Sequence, residues 1–155
     1  MSMTPARFER IAGDSFEASE CSPPLEEGFR GLVLAAPSRV SAGDDAVLPV
    51  AGAYQVSARF LNRFKSMSSE ITLVAIDAVT HAPRSTNLLK EGLEALPSGF
   101  RASNPRLDSI VVSGHFNVDL FRWISDLPRG PARYHVFATV GDAVSNVVTI
   151  EVGPS

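Results

Sequence analysis

The stretch RGPARYHVFATVGDAVSNVVTIEV, residues 129–152, decides how the rest of the chain is read. Tyr134, Val136, Ala138 and Val140 alternate with Arg133, His135, Phe137 and Thr139. Successive side chains of a strand point to opposite faces, so this alternation predicts a strand with one face buried and one in water. Gly141 and Asp142 then suit a tight hairpin turn. Beyond it, Val148, Ile150 and Val152 return onto the same inner face. The segment is therefore expected to close a β scaffold rather than to hold a reactive site.

The same period of two recurs upstream. In SIVVSGHFNVDL (109–120), Ile110, Val112, Gly114, Phe116, Val118 and Leu120 share one face, opposite Ser113, His115, Asn117 and Asp119. In AYQVSARFL (53–61), Tyr54, Val56, Ala58 and Phe60 alternate with Gln55, Ser57 and Arg59. EITLVAIDAV (70–79) differs, because Ile71, Leu73 and Ala75 fall on one face while Val74, Ile76 and Ala78 fall on the other. Both faces of that strand want cover. Shorter runs, GLVLAA (31–36) and VLPV (47–50), flank the turn SAGDD (41–45), and Pro49, which has no N–H for a ladder, places its run at an edge or bulge. Residues 81–106 are the least strand-like of the domain. Within them Leu88, Leu89, Leu93 and Leu96 predict a short helix over 86–96, capped by Thr86 or Asn87 and stopped by Pro97.

About seven short strands separated by turn signals predict an all-β, antiparallel sandwich over residues 29–155. Residues 1–28, with six acidic and two basic side chains, few apolar anchors and a Ser-Pro-Pro run, read as an extension, partly helical or irregular, that the domain does not need for folding. Hydrophobic residues at 45% and charged residues at 20% fit an ordinary globular domain, and 155 residues fit one core.

The segment LPRGPARYHVFATVGDAVSNVVTIEV resembles the end of an immunoglobulin-like or fibronectin type III domain, through its Leu-Pro turn, Tyr134, the alternating strand, the Gly-Asp hairpin and the final strand. The resemblance is strongest over residues 109–152. It implies a tyrosine corner, in which the Tyr134 hydroxyl bonds backbone a few residues upstream. The single cysteine leaves no partner for the disulfide of antibody-type domains.

A net charge of −3 offers no broad attraction to phosphate or anionic lipid, so neither nucleic acid nor membrane is expected as a partner. No apolar run approaches the roughly 18 residues of a spanning helix. A cytoplasmic, bacterial-type protein is the expectation. Cys21, among carboxylates and without a neighbouring base, reads as an unreactive surface thiol.

Chemistry is sparse. Ser113, His115, Asn117 and Asp119 project from one strand face, but same-face neighbours stand about 7 Å apart, too far for a nucleophile and its base. They read as the polar outer face of a sheet. His81, His115 and His135, with Asp77, Asp119 and Glu151, lack metal-ligand spacing, and His135 is expected opposite Glu151 across the last hairpin. No catalytic residue, metal site or cofactor is assigned.

The informative anomaly is apolar surface. Phe137, Thr139 and Val147, with the outward sides of Val74 and Ile76, predict a patch on one sheet. Either the insertion 86–96 or the extension with Phe8 and Phe16 covers it, or a partner does. The favoured reading is a non-catalytic module that acts through protein contact or as a homodimer. The alternative is a small-molecule or glycan-binding sandwich using Phe100, Trp123 and Tyr134, and a hydrolase built on Ser113, His115 and Asp119 comes third.

Overall fold

A strand that is apolar on one face needs a second sheet to bury it, and the computed structural model of the chain, which describes residues 15, 19, 21–57, 71–88 and 111–154, shows two. The strands are β1 (Gly31–Ala35), β2 (Arg39–Ser41), β3 (Pro49–Ser57), β4 (Thr72–Asp77), β5 (Pro83–Asn87), β6 (Val111–Asp119), β7 (Ala132–Val140), β8 (Ala143–Val144) and β9 (Val148–Gly153), with a one-turn helix α1 (Leu120–Trp123) after β6. One sheet has the order β1-β3-β6. The other has the order β2-β9-β7-β4-β5, with β8 also on β7. Every pairing is antiparallel except β2 on β9, which is parallel. The chain is an all-β sandwich.

The inner faces follow the expected alternation. Leu32, Leu34, Val50, Tyr54, Phe116 and Val118 from the smaller sheet meet Leu73, Ala75, Tyr134, Val136, Ala138, Val140, Ile150 and Val152 from the larger, all buried. Two glycines make this packing possible. Gly52 lies directly opposite Phe116, and Gly114 directly opposite Tyr54. At either glycine an added Cβ would come within 3.0 Å of the facing aromatic side chain, so each ring lies flat over the backbone across from it. The Tyr134 hydroxyl donates to the Pro128 carbonyl at 2.9 Å, and the ring is fully buried. That is the corner bond anticipated from the sequence.

Several elements depart from expectation. Residues 49–50 and 53–57 belong to one strand, and Pro49 opens the central strand of its sheet instead of sitting at an edge. The first position of a strand tolerates a missing N–H. Thr86 and Asn87 end β5 instead of capping a helix, Leu88 follows it buried, its N–H donating to the Ile71 carbonyl, and residues 89–96 of the expected helix lie outside the described residues. The sequence PRSTN has no apolar alternation to announce an edge strand, one face of which is exposed and the other half-buried. The helix that is present, α1, is capped by Asp119, whose carboxylate accepts from Phe121 N at 3.0 Å and Leu48 N at 2.9 Å.

The return from β7 is not one strand but two. β8 and β9 both pair with β7, and residues 145–147 interrupt them. Ser145 bridges the break, its Oγ accepting from Ala138 N and its N–H donating to Ala138 O, each at 2.8 Å. The break frees the Asn146 carboxamide to reach the other sheet, where it accepts from Leu34 N at 2.8 Å and donates to Leu34 O at 3.0 Å. It also shifts the register, so that His135 faces Thr149, with Nδ1 and Oγ1 at 2.9 Å, and Arg133 faces Glu151.

Where it is described, the extension is bonded to the smaller sheet. Ser15 exchanges two backbone hydrogen bonds with Asn117, at 3.0 and 2.8 Å. The Asn117 carboxamide donates to Ser15 Oγ and accepts from Ser19 Oγ, both at 2.9 Å. Cys21 then packs fully buried on Ala51 and Ala35, and Gln55 Nε2 donates to the Phe29 carbonyl at 2.9 Å. Asn117, expected on a solvated face, and Cys21, expected at the surface, are therefore both inside. The reason is the alanine floor of Ala51 and Ala53, which leaves depth for the segment to lie across the smaller sheet.

Candidate interaction face

The outer face of the larger sheet is built by the residues between the buried ones. On β7 these are Arg133, His135, Phe137 and Thr139, and on β4 they are Thr72, Val74 and Ile76. The ladder sets Val74 directly opposite Phe137, Ile76 opposite His135, and Thr72 opposite Thr139. Val74, Ile76, Phe137 and Thr139 are all half-buried. The structure thus brings together four of the five residues singled out from the sequence. Val147 is exposed at 59% but stands in the break between β8 and β9, outside the ladder. The residue opposite Thr139 is Val144, 63% exposed. The tight turn at Gly141-Asp142 sets that pairing; sequence reasoning, which began the return strand at Val148, passed over the two-residue strand β8.

The rim is polar. Arg133 Nη2 and Glu151 Oε2 are 3.5 Å apart, both well exposed, which contributes about 0–1 kcal/mol. Ser85 and Pro83 of β5 lie beyond Val74 and Ile76. The centre of the face is therefore a cross-strand Val–Phe pair ringed by hydroxyls, an imidazole and one ion pair. An aromatic and a β-branched side chain directly opposite each other stabilise the sheet by about 0.2–1 kcal/mol and leave a flat apolar centre.

The residues expected for a ligand site do not form one. Tyr134 is fully buried and its hydroxyl is engaged by Pro128, so it has no face to stack on a sugar. Desolvation holds its phenol above the usual tyrosine range, with the nearby Asp77 carboxylate adding to the shift. Trp123 is half-buried against the core, and its indole N–H is buried with no hydrogen-bond partner among the described residues. Phe100 lies outside the described residues. Nor do the candidate catalytic side chains converge. Ser113 Oγ donates to Gln55 Oε1 at 3.2 Å, His115 lies opposite Ala53, and Asp119 caps α1. Asp77 has a structural task as well: it accepts from Thr80 N and Val79 N in the turn after β4, and those bonds hold its carboxyl below the usual range. Among the described residues no three His, Cys, Asp or Glu side chains come together, and no helix is long and apolar enough to cross a membrane.

No protein-family model matches the chain, and no curated protein sequence matches it either.

Proposed function

We propose that the chain is a non-catalytic sandwich of the immunoglobulin or fibronectin type III kind that acts through protein contact, its outer β7–β4 face meeting the same face of a second copy. Two features support the kinship. The first, third and sixth strands form one sheet while the fourth, fifth, seventh and ninth belong to the other, and a buried tyrosine near the start of β7 bonds the chain upstream. The observation that carries the contact is the Val74–Phe137 pair, set mid-sheet with Ile76 and Val144 beside it. A two-fold axis through such a patch makes it self-complementary, so one apolar face closes a dimer.

The test is sedimentation equilibrium at micromolar concentration. The wild type should report twice the 16.6 kDa chain mass. Phe137→Glu should return a monomer that still folds and unfolds cooperatively, because a carboxylate buried at that interface has no partner. A wild-type monomer across the range removes self-association, and a dimer indifferent to Phe137→Glu removes this face from the contact.

A further inference from the structure

His135 stands beside the Val74–Phe137 pair. Across the ladder it has Ile76 on one side and Thr149 on the other, and along β7 it lies two residues from Phe137 and two from Arg133. It is half-buried, so its ring still meets water in the single chain. Its Nδ1 lies 2.9 Å from Thr149 Oγ1, a hydroxyl that donates to a neutral ring or accepts from a charged one. Imidazole is the side chain that ordinarily changes charge between about pH 5 and 8. Its neighbours among the described residues offer that charge no free carboxylate. Glu151, diagonally placed on β9, is paired with Arg133 at 3.5 Å and has Arg39 opposite it on β2. Asp77, next to Ile76, accepts from Val79 N and Thr80 N. Val74, Ile76, Pro83 and Ser85, the nearest groups of β4 and β5, carry no charge. Two guanidiniums and one carboxylate therefore flank His135, and protonation makes a positive region more positive.

We propose that, in the face-to-face dimer on which this rests, His135 is a pH gate: the neutral ring fits the contact and the protonated ring opens it. Desolvation decides the sign. In the single chain a charged His135 keeps its water, whereas a second copy laid on the face removes that water. With the strands of the two copies aligned, a two-fold axis through the Val74–Phe137 pair runs either along them or across them. Along the strands it brings the partner's Ile76 over His135, and across them it brings the partner's Thr139. Neither supplies a negative charge, so both arrangements discriminate against the protonated ring. Each copy contributes one such ring, and the separated chains bind more protons than the dimer does. Acid therefore drives the copies apart.

The test is sedimentation equilibrium of the full chain from about pH 8 to about pH 5.5 at fixed ionic strength, the span in which an imidazole changes charge. Each of the chain's three histidines is replaced in turn. The wild-type dissociation constant should rise about tenfold or more as the pH falls across that span. His135→Gln, which keeps a donor and an acceptor without a charge, should stay a dimer at both ends with a nearly constant affinity. His115→Gln, on the smaller sheet, and His81→Asn, whose φ of 63° suits asparagine, should keep the wild-type dependence. The far-ultraviolet spectrum should be the same at both ends, which separates dissociation from unfolding. The gate alone is overturned by a dimer whose affinity is flat with pH or tightens in acid, by a dependence that survives His135→Gln, and by a chain that comes apart only because it unfolds. A wild type already monomeric at the alkaline end overturns both the gate and the face contact.

Discussion

Gly52→Ala is the substitution that tests the core most sharply. The added methyl would enter space now held by the Phe116 ring, which is fully buried and cannot swing out to water. Overpacking of this kind costs about 1–3 kcal/mol, and an immobile aromatic wall puts it at the upper end, about 3 kcal/mol. For a chain of this length that lowers the melting temperature by roughly 6–12 °C. The decisive measurement is a cycle in urea. Phe116→Ala alone should cost about 3–5 kcal/mol. In that background the clash is gone, and Gly52→Ala should become neutral or stabilise by up to about 1 kcal/mol, because alanine loses less backbone freedom than glycine on folding. If Phe116→Ala is too unstable to measure, Phe116→Val serves the same cycle. An unchanged cost of Gly52→Ala in both backgrounds would show that Phe116 is not what requires the glycine.

Tyr134→Phe should destabilise by about 1 kcal/mol by leaving the Pro128 carbonyl without its donor. Because the folded phenol titrates above its unfolded value, that tyrosine stabilises below the ordinary tyrosine range and the contribution is lost as pH rises through the folded value. The alkaline limb of a stability–pH profile should therefore be shallower in Tyr134→Phe, and an identical limb would refute the assignment. Asn117→Ala should cost about 1–3 kcal/mol by stranding the Ser15 and Ser19 hydroxyls. It should also speed proteolytic cleavage before Cys21, and wild-type cleavage rates would mean that the segment is held by something other than this carboxamide.

What was legible in the sequence was whatever a period of two can express. The inner faces of β4, β6 and β7, the turn at Gly141-Asp142 and the Tyr134 bond all follow from local alternation or from one recognisable corner. The apolar outer face was legible for the same reason, since Val74 and Phe137 break the polar half of their patterns. What stayed hidden depends on partners far away in the chain. Asn117 looks like surface until Ser15 and Ser19 cover it, and Cys21 looks exposed until Ala51 lies beneath it. The register in which β9 resumes at Val148 sets Thr149, not Glu151, opposite His135, and nothing near either residue announces it. β5 stayed hidden because an exposed edge strand needs no apolar residues at all.

The parallel pairing of β2 with β9 bears on the order in which the molecule assembles. β2 ends at Ser41, and its partner is the last strand. Leu34 likewise waits for Asn146, 112 residues later, which at about 5–20 residues per second of synthesis is several seconds. Until then β2 has no strand to join, although the smaller sheet β1-β3-β6 can pair once Asp119 has been made. The larger sheet closes only once β9 is available, so the domain cannot finish folding from its amino-terminal end while it is being made. Such non-local closure places it among slow folders, on the millisecond-to-second scale, with the half-made β4 exposing two apolar faces in the meantime. A nascent chain stalled before Val148 should therefore be protease-sensitive and a substrate for holding chaperones, and one released beyond Gly153 should not.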